Sequence, residues 1–340
     1  MVMKMSIEEL IREMVMVPGV SGFEEPFRRY LLERLREYNA KTDNLGNVIV
    51  TLGDGKKHIA FVAHMDEIGL ITTHIEDNGF IRFMPVGGVD NRMLYGRVVE
   101  IYTDNGIIYG VIGLSPPHLT SEEERKKMYE WKELAIDIGA NSKDEAIRMG
   151  VKPMQPARWK KDFVVMGKHI VTRGLDDRVG CAILYESLKR LHRKNFKNKI
   201  TFIWTLQEET GLRGASALAS KYRFDEVYVI DTITSATMPN VDYHLSPAKL
   251  GDGPVLRVAD RRGVASQYLR EKVFKIAKNN GIPVQEAVSG GSTDASTMFE
   301  HGMNSIPICI PVKYTHSPVE MIHLADVKNL IDLIEKIAES

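Results

Sequence analysis

The stretch Ile200-Thr201-Phe202-Ile203-Trp204-Thr205-Leu206-Gln207-Glu208-Glu209-Thr210-Gly211-Leu212 decides the fold. An apolar run of strand length ends on two adjacent acids and gives way to a helical pattern over 212–221, the unit from which α/β sheets are built. Downstream the alternation continues: the pattern predicts strand 226–230, strand 255–258, helix 265–279, a helix after Gly290-Gly291, strand 306–310 and helix 326–338. Upstream, helix 177–191 precedes it. At the start of the chain, Ile7, Leu10, Ile11 and Met14 keep helical spacing until Pro18-Gly19-Val20-Ser21-Gly22 breaks it, and Phe27, Leu31, Leu32 and Leu35 resume it. Residues 48–52 and 58–63, around a Gly-Asp-Gly turn, read as a strand pair, the second strand apolar on both faces as in a covered sheet. Between 68 and 163 the texture changes to short β-rich runs at 70–75, 80–83, 98–102 and 107–112 with Gly and Asn-Gly or Asp-Asn turns. The expected organisation is a layered α/β domain of residues 1–68 plus 164–340, interrupted by a β-rich insertion at 69–163.

Composition narrows the function. The 340 residues suit about two domains. Lys+Arg and Asp+Glu both number 45, a formal net charge of +0. That balance removes the long-range field that draws proteins to nucleic acid or anionic lipid, so neither partner is expected. Cys181 and Cys309 stand apart in apolar runs, which favours a reducing compartment. Lys4, Glu8, Glu9, Arg12 and Glu13 interrupt any signal-peptide core, and no run approaches the roughly 18 apolar residues of a membrane span, so the expected location is cytoplasmic. The methionine-rich start reads as helix core plus a start-site cluster; Arg261-Arg262 and Arg125-Lys126-Lys127 read as solvated surface.

The chemistry concentrates at strand ends and helix starts, where α/β sheets bind ligands: His64-Met65-Asp66, Asp176-Asp177, Glu208-Glu209 and Asp231, with His316 in a Pro-flanked loop as a fifth candidate. Singly, each has a plainer explanation. A histidine after a strand is usually hydrogen-bonded structure, and Asp176-Asp177 or Glu208-Glu209 can serve a helix start. Together, carboxylates converging from remote positions repel one another unless a cation neutralises them, and imidazole with carboxylate suits zinc or a related divalent ion. Adjacent Glu208 and Glu209 point in different directions, so one can touch metal while the other moves protons. Water on such an ion has its pKa lowered to about 7, and a carboxylate that takes its proton and passes it to a leaving amine hydrolyses amides. No Gly-x-Ser-x-Gly elbow, Walker loop, Rossmann glycine motif or His-Glu-x-x-His offers another chemistry. The run Ser289-Gly290-Gly291-Ser292-Thr293-Asp294 reads at least as well as a capped turn as an anion cradle.

The chain resembles the tetrahedral (TET) aminopeptidases, the glutamyl and deblocking aminopeptidase type of co-catalytic metallopeptidase. The blocks that carry the resemblance run through the whole length: Pro18-Gly19-Val20-Ser21-Gly22-Phe23-Glu24-Glu25, Asp43-Asn44-Leu45-Gly46-Asn47, Ala63-His64-Met65-Asp66-Glu67-Ile68-Gly69, Pro116-Pro117-His118-Leu119, Ile136-Asp137-Ile138-Gly139-Ala140, Leu175-Asp176-Asp177-Arg178, Gln207-Glu208-Glu209-Thr210-Gly211-Leu212-Arg213-Gly214 and His316-Ser317-Pro318-Val319-Glu320. The resemblance implies an α/β/α catalytic domain of the di-metal exopeptidase type and two divalent ions, zinc or cobalt, bridged by Asp176. His64 and Asp231 would complete one site, Glu209 and His316 the other. Glu208 would be the general base and Asp66 the carboxylate that orients His64. It also implies that the insertion is a barrel-like dimerisation domain, that the subunits form a homo-oligomer, typically a hollow dodecamer, and that the substrates are peptides. The sequence departs from the family in Thr232-Ile233-Thr234-Ser235-Ala236-Thr237 and at Ser292 and Ser296, positions expected to shape the substrate pocket; His323 stands where an acid is frequent and has no assigned role.

Two other functions compete with peptide hydrolysis. A carbohydrate hydrolase needs an opposed acid and base some 5 to 9.5 Å apart, which adjacent Glu208 and Glu209 fit poorly. A non-catalytic assembly protein would have lost some ligand or the base, and all are present.

Overall fold

The run that decided the fold forms the strand Lys199–Thr205, buried from Ile200 onward. In the computed structural model, which describes residues 5–340, it belongs to an eight-stranded mixed sheet. Across that sheet the order is Lys41–Thr42, Val48–Leu52, Lys199–Thr205, His58–His64, Glu226–Thr234, Ser305–Val312, Val255–Ala259, Gln285–Val288. Met1 and Met3 of the methionine-rich start lie outside the described residues.

Side-chain alternation divides the central strands between two helical layers. Ile59, Phe61, Ala63, Ile200, Phe202, Trp204, Tyr228 and Ile230 pack in one core with residues of the helices Ile7–Met16, Glu25–Arg34, Leu175–Leu191, Gln267–Asn279 and Leu324–Glu339. Ala60, Val62, Ile203, Val227 and Val229 face the other way, against the helices Arg213–Lys221 and Asp294–Glu300. Such two-sided burial is why these strands read as unbroken apolar runs. Each fully buried Ile, Leu or Phe contributes about 1.5–3 kcal/mol of transfer free energy.

Two sequence expectations need correction. Val48–Leu52 and His58–His64 are not a pair: Lys199–Thr205 lies between them, antiparallel to the first and parallel to the second. Asp231 does not end its strand, because Glu226–Thr234 continues past it and pairs Asp231 with Cys309 and Thr234 with Val312. The β-branched run Thr232-Ile233-Thr234 extends the ladder, although its polarity reads as loop. A small antiparallel sheet of Val164–Met166, His169–Thr172 and Glu320–His323 also forms, which the sequence pattern does not announce.

The described residues fall into two compact units. One comprises the residues through Asp66 together with Phe163–Thr315 and Val319–Ser340; the other comprises Glu67–Asp162 and His316–Pro318. The second unit holds a five-stranded antiparallel sheet in the order Ile81–Val86, Gly69–Ile75, Pro156–Trp159, Arg97–Thr103, Gly106–Ile112. Ile136 bridges to Ile81 and Asp137 to Val111, so one short segment joins both edges of the sheet in a barrel-like closure. Glu67 is buried in this unit, paired with Arg158 Nη1 at 2.9 Å and Lys161 Nζ at 2.6 Å, and Arg158 Nε reaches Glu100 at 3.1 Å. Among the described residues no helix is long and apolar enough to cross a membrane.

Candidate active site

Parallel register brings the acids together. Thr205 pairs with His64, which closes its strand, and Glu208 and Glu209 follow three and four residues later. Val229 pairs with Val62, which sets Asp231, two residues on, level with His64. Asp176 and Asp177 open the helix Leu175–Leu191 with non-helical backbone angles, and the peptide between them is cis. Glu320 fixes this turn by accepting hydrogen bonds from the Leu175 amide at 2.7 Å and the Asp176 amide at 3.2 Å.

His64, 3% exposed, stands between two carboxylates, its Nε2 3.3 Å from Asp176 Oδ1 and its Nδ1 3.4 Å from Asp66 Oδ1. Burial pulls the imidazole pKa down, but the bonds to Asp176 and Asp66 and the charge of Glu208 outweigh it and raise it well above the ordinary value. Asp66 is pushed up by burial, yet His64, the Glu208 amide and the Ser21 hydroxyl leave its pKa lowered. Its role is wider than orienting His64. Oδ1 accepts from the Glu208 amide at 3.0 Å and Oδ2 from the Glu209 amide at 3.1 Å, so one carboxylate also holds the backbone of both glutamates.

The remaining acids crowd one another. Burial and the Asp231 charge raise Asp177 well above its ordinary pKa; burial, with Asp231 and Glu209 nearby, does the same to Glu208. Burial, with Asp176 adding, lifts Asp231 to about 7. Among the described residues, ligand atoms of His64, Asp176 and Glu209 lie within 4.8 Å of one another, as do those of Asp176, Asp177 and Asp231. Asp176 belongs to both groups. Asp177 Oδ2 is buried with no hydrogen-bond partner. Mutually repelling carboxylates with an orphaned buried oxygen and one imidazole form a donor set that fits divalent cations.

The groupings differ from the expected pairs, for His64 falls with Glu209 while Asp231 falls with Asp177. His316 clusters with the second unit, where its Nδ1 meets the Gly88 carbonyl at 3.0 Å. A carbonyl only accepts, so Nδ1 carries a proton there. Gly88 makes room for the ring: a Cβ there would lie 2.9 Å from Nδ1.

The sequence pattern assigns no role to several participants: Asp177 shows only as half of an acidic pair, Glu24 and Glu320 stand inside the blocks 18–25 and 316–320 with no chemistry attached, and Asp294 closes the Gly-rich run. Asp294 is buried and accepts from the Thr205 hydroxyl at 2.5 Å. The Gly-rich run before it is a capped turn, with Thr293 accepting from the Ala295 amide. His323 acquires a plain structural role: its Nδ1 accepts from the Ala325 amide and caps the helix Leu324–Glu339.

Comparison with known proteins adds to this geometry. The family model of the M42 glutamyl aminopeptidases matches residues 46–333. A lysyl aminopeptidase of Pyrococcus furiosus is 33% identical over 340 residues, 97% of this chain and 96% of its own. Among solved structures, the TET1 peptidase of Pyrococcus horikoshii is 44% identical with a TM-score of 0.92, covering 98% of this chain and 99% of its own. A TET aminopeptidase from a marine-sediment Thaumarchaeota archaeon is 32% identical with a TM-score of 0.93, covering 98% and 96%.

Proposed function

The chain belongs to the M42 glutamyl aminopeptidase family and is a metallopeptidase that hydrolyses peptides from the N-terminus; we propose that it does so with Glu208 as general base beside two divalent cations. The observation that carries this reading is Asp176, whose carboxylate is common to both groups of candidate ligand atoms, as a bridge requires. The family resemblance would place His64 and Asp231 with Asp176 on one cation and Glu209 and His316 with Asp176 on the other, although the ligand atoms of His64 lie with those of Glu209 and those of Asp231 with those of Asp177. Zinc or cobalt would suit these nitrogen and oxygen donors. Cations bound there supply Lewis acidity toward the scissile carbonyl and toward water. The chain's own groups do the rest. Burial raises the Glu208 carboxylate above its ordinary pKa, the direction that favours a base able to take a proton and return it to the leaving amine. Asp66, bonded to the Glu208 and Glu209 amides, keeps base and ligand in fixed relation.

Glu208→Gln tests the base. Elemental analysis should find the metal retained while kcat on an aminoacyl chromogen falls about 100-fold or more. Chelation should abolish activity, zinc or cobalt should restore it, and an N-blocked substrate should resist. Near-normal hydrolysis by the metal-loaded variant would show that the proton passes elsewhere.

We read residues 69–163 as an inserted dimerisation domain and the working form as a dodecamer. Support comes from the Pyrococcus horikoshii TET1 peptidase, which assembles into a tetrahedron or a large octahedral shell. The free, buried thiols of Cys181 and Cys309 accord with a cytoplasmic location.

A further inference from the structure

Two of the sequence blocks, 18–25 and 43–47, take no part in the chemistry above, yet both reach the segment that carries the base. After the strand Lys199–Thr205 the backbone enters neither strand nor helix until Arg213. The amides of residues 206 to 209 are nonetheless all bonded, each to a side-chain oxygen from the first 66 residues: Leu206 to Asn47 Oδ1 at 3.2 Å, Gln207 to Glu24 Oε1 at 3.1 Å, Glu208 to Asp66 Oδ1 at 3.0 Å and Glu209 to Asp66 Oδ2 at 3.1 Å.

The cradle is itself tied down. Glu24, 5% exposed, also accepts from the Gly22 amide at 2.8 Å, and Ser21 meets the Thr210 hydroxyl at 2.9 Å. Asn47 donates to Asp43 at 2.7 Å and to the Gly214 carbonyl at 3.0 Å, closing the far end of the loop. Asp66 already serves His64 and both glutamates. Glu24 serves a different need, because Gln207, immediately before the base, has φ 51, a left-handed backbone that a side-chain-bearing residue keeps only when its surroundings hold it.

We propose that Glu24 is a positioning residue for the reaction: its carboxylate holds the Gln207 amide, and through that left-handed residue it sets the direction in which the Glu208 carboxylate leaves the backbone. This rests on Glu208 being the base. It explains why an acid that touches no candidate ligand is buried beside the site. Losing the bond frees Gln207 to relax, and a displacement of about 1 Å in a reacting group costs about 100-fold in rate.

Two substitutions in the full-length protein separate reach from charge. Glu24→Asp keeps the charge and withdraws the acceptor by one methylene; Glu24→Gln removes the charge and keeps an acceptor oxygen in place. Each is compared with wild type and Glu208→Gln for kcat and KM on an aminoacyl chromogen at saturating cobalt, with bound metal measured, and for amide hydrogen exchange of residues 205–210 without metal. The expected result is a kcat for Glu24→Asp about 10- to 100-fold below wild type, with KM within about twofold, and faster exchange at Gln207. Glu24→Gln should stay close to wild type in both. If Glu24→Asp matches wild type in rate and exchange, or if Glu24→Gln is as impaired as Glu24→Asp, the proposal is overturned. An active Glu208→Gln would instead overturn the base assignment, and the exchange data would still decide whether Glu24 holds the loop.

Discussion

Asp231 is held where its negative charge is least welcome. Burial, with Asp176 adding, lifts its carboxyl to about 7, and burial lifts Asp294 and Asp326 to about 6. In the unfolded chain an aspartate returns to about 3.9. Without metal the folded protein therefore binds more protons than the unfolded chain between about pH 4 and 7, so its stability falls as pH rises through that window. His64, raised well above its ordinary value, acts in the same sense, because its contribution is present at low pH and lost as pH rises. Metal-free protein should thus melt at a higher temperature at pH 5.5 than at pH 7.5, by a few degrees, from about 1 kcal/mol or more of linkage. Adding zinc or cobalt should reverse the trend, because protons then compete with the cation for the same ligands. Scanning calorimetry at the two pH values, with chelator and with metal, decides it; a metal-free melting temperature that climbs toward pH 7.5 contradicts the reading of Asp231.

The helix Leu175–Leu191 is the element on which the site leans most, since it presents Asp176 and Asp177 from within the core. Asp177 Oδ1 accepts from the Gly180 amide at 3.1 Å, and a Cβ on Gly180 would lie 2.2 Å from Asp177 Oδ2. Gly180→Ala must push that carboxylate aside. The expected cost is about 1–3 kcal/mol in urea unfolding, with weaker metal binding in a competition titration; an unchanged midpoint and affinity would mean that Asp177 has room to move. Such an element was legible in the sequence because a buried helix repeats its apolar residues and a covered strand runs apolar throughout. The acids at His64-Met65-Asp66 and Glu208-Glu209 stood out as polar groups closing apolar runs. What stayed hidden depends on partners remote along the chain. Nothing near Val48–Leu52 announces that Lys199–Thr205 will separate it from His58–His64. Glu24 resembles any loop acid until its partner appears 183 residues away. Asp231 looked like a strand end because hydropathy falls there, although the backbone ladder with Ser305–Val312 continues to Thr234.

At the scale of the whole molecule, the second unit leaves Val98, Ile107, Tyr109 and Val111 between 43% and 55% exposed. Ile107, Tyr109 and Val111 alternate along the strand Gly106–Ile112 and so share a face, and Val111 pairs with Val98 across the ladder. An apolar patch on the outer strand of a sheet marks a contact surface, because leaving it in water invites unspecific pairing. In the proposed dodecamer that surface meets a second copy of the chain. Covering the exposed half of each of these side chains contributes about 1 kcal/mol, whereas an unpaired carboxylate in the same place opposes association. The double substitution Tyr109→Glu and Val111→Glu should therefore shift the particle to smaller species in native mass spectrometry. Its rate per subunit on a small aminoacyl chromogen should hold, because neither residue is a candidate ligand or the base. A double variant that keeps the wild-type mass would assign the interface to another surface, and a wild-type particle of a single 38.4 kDa chain would remove the assembly itself.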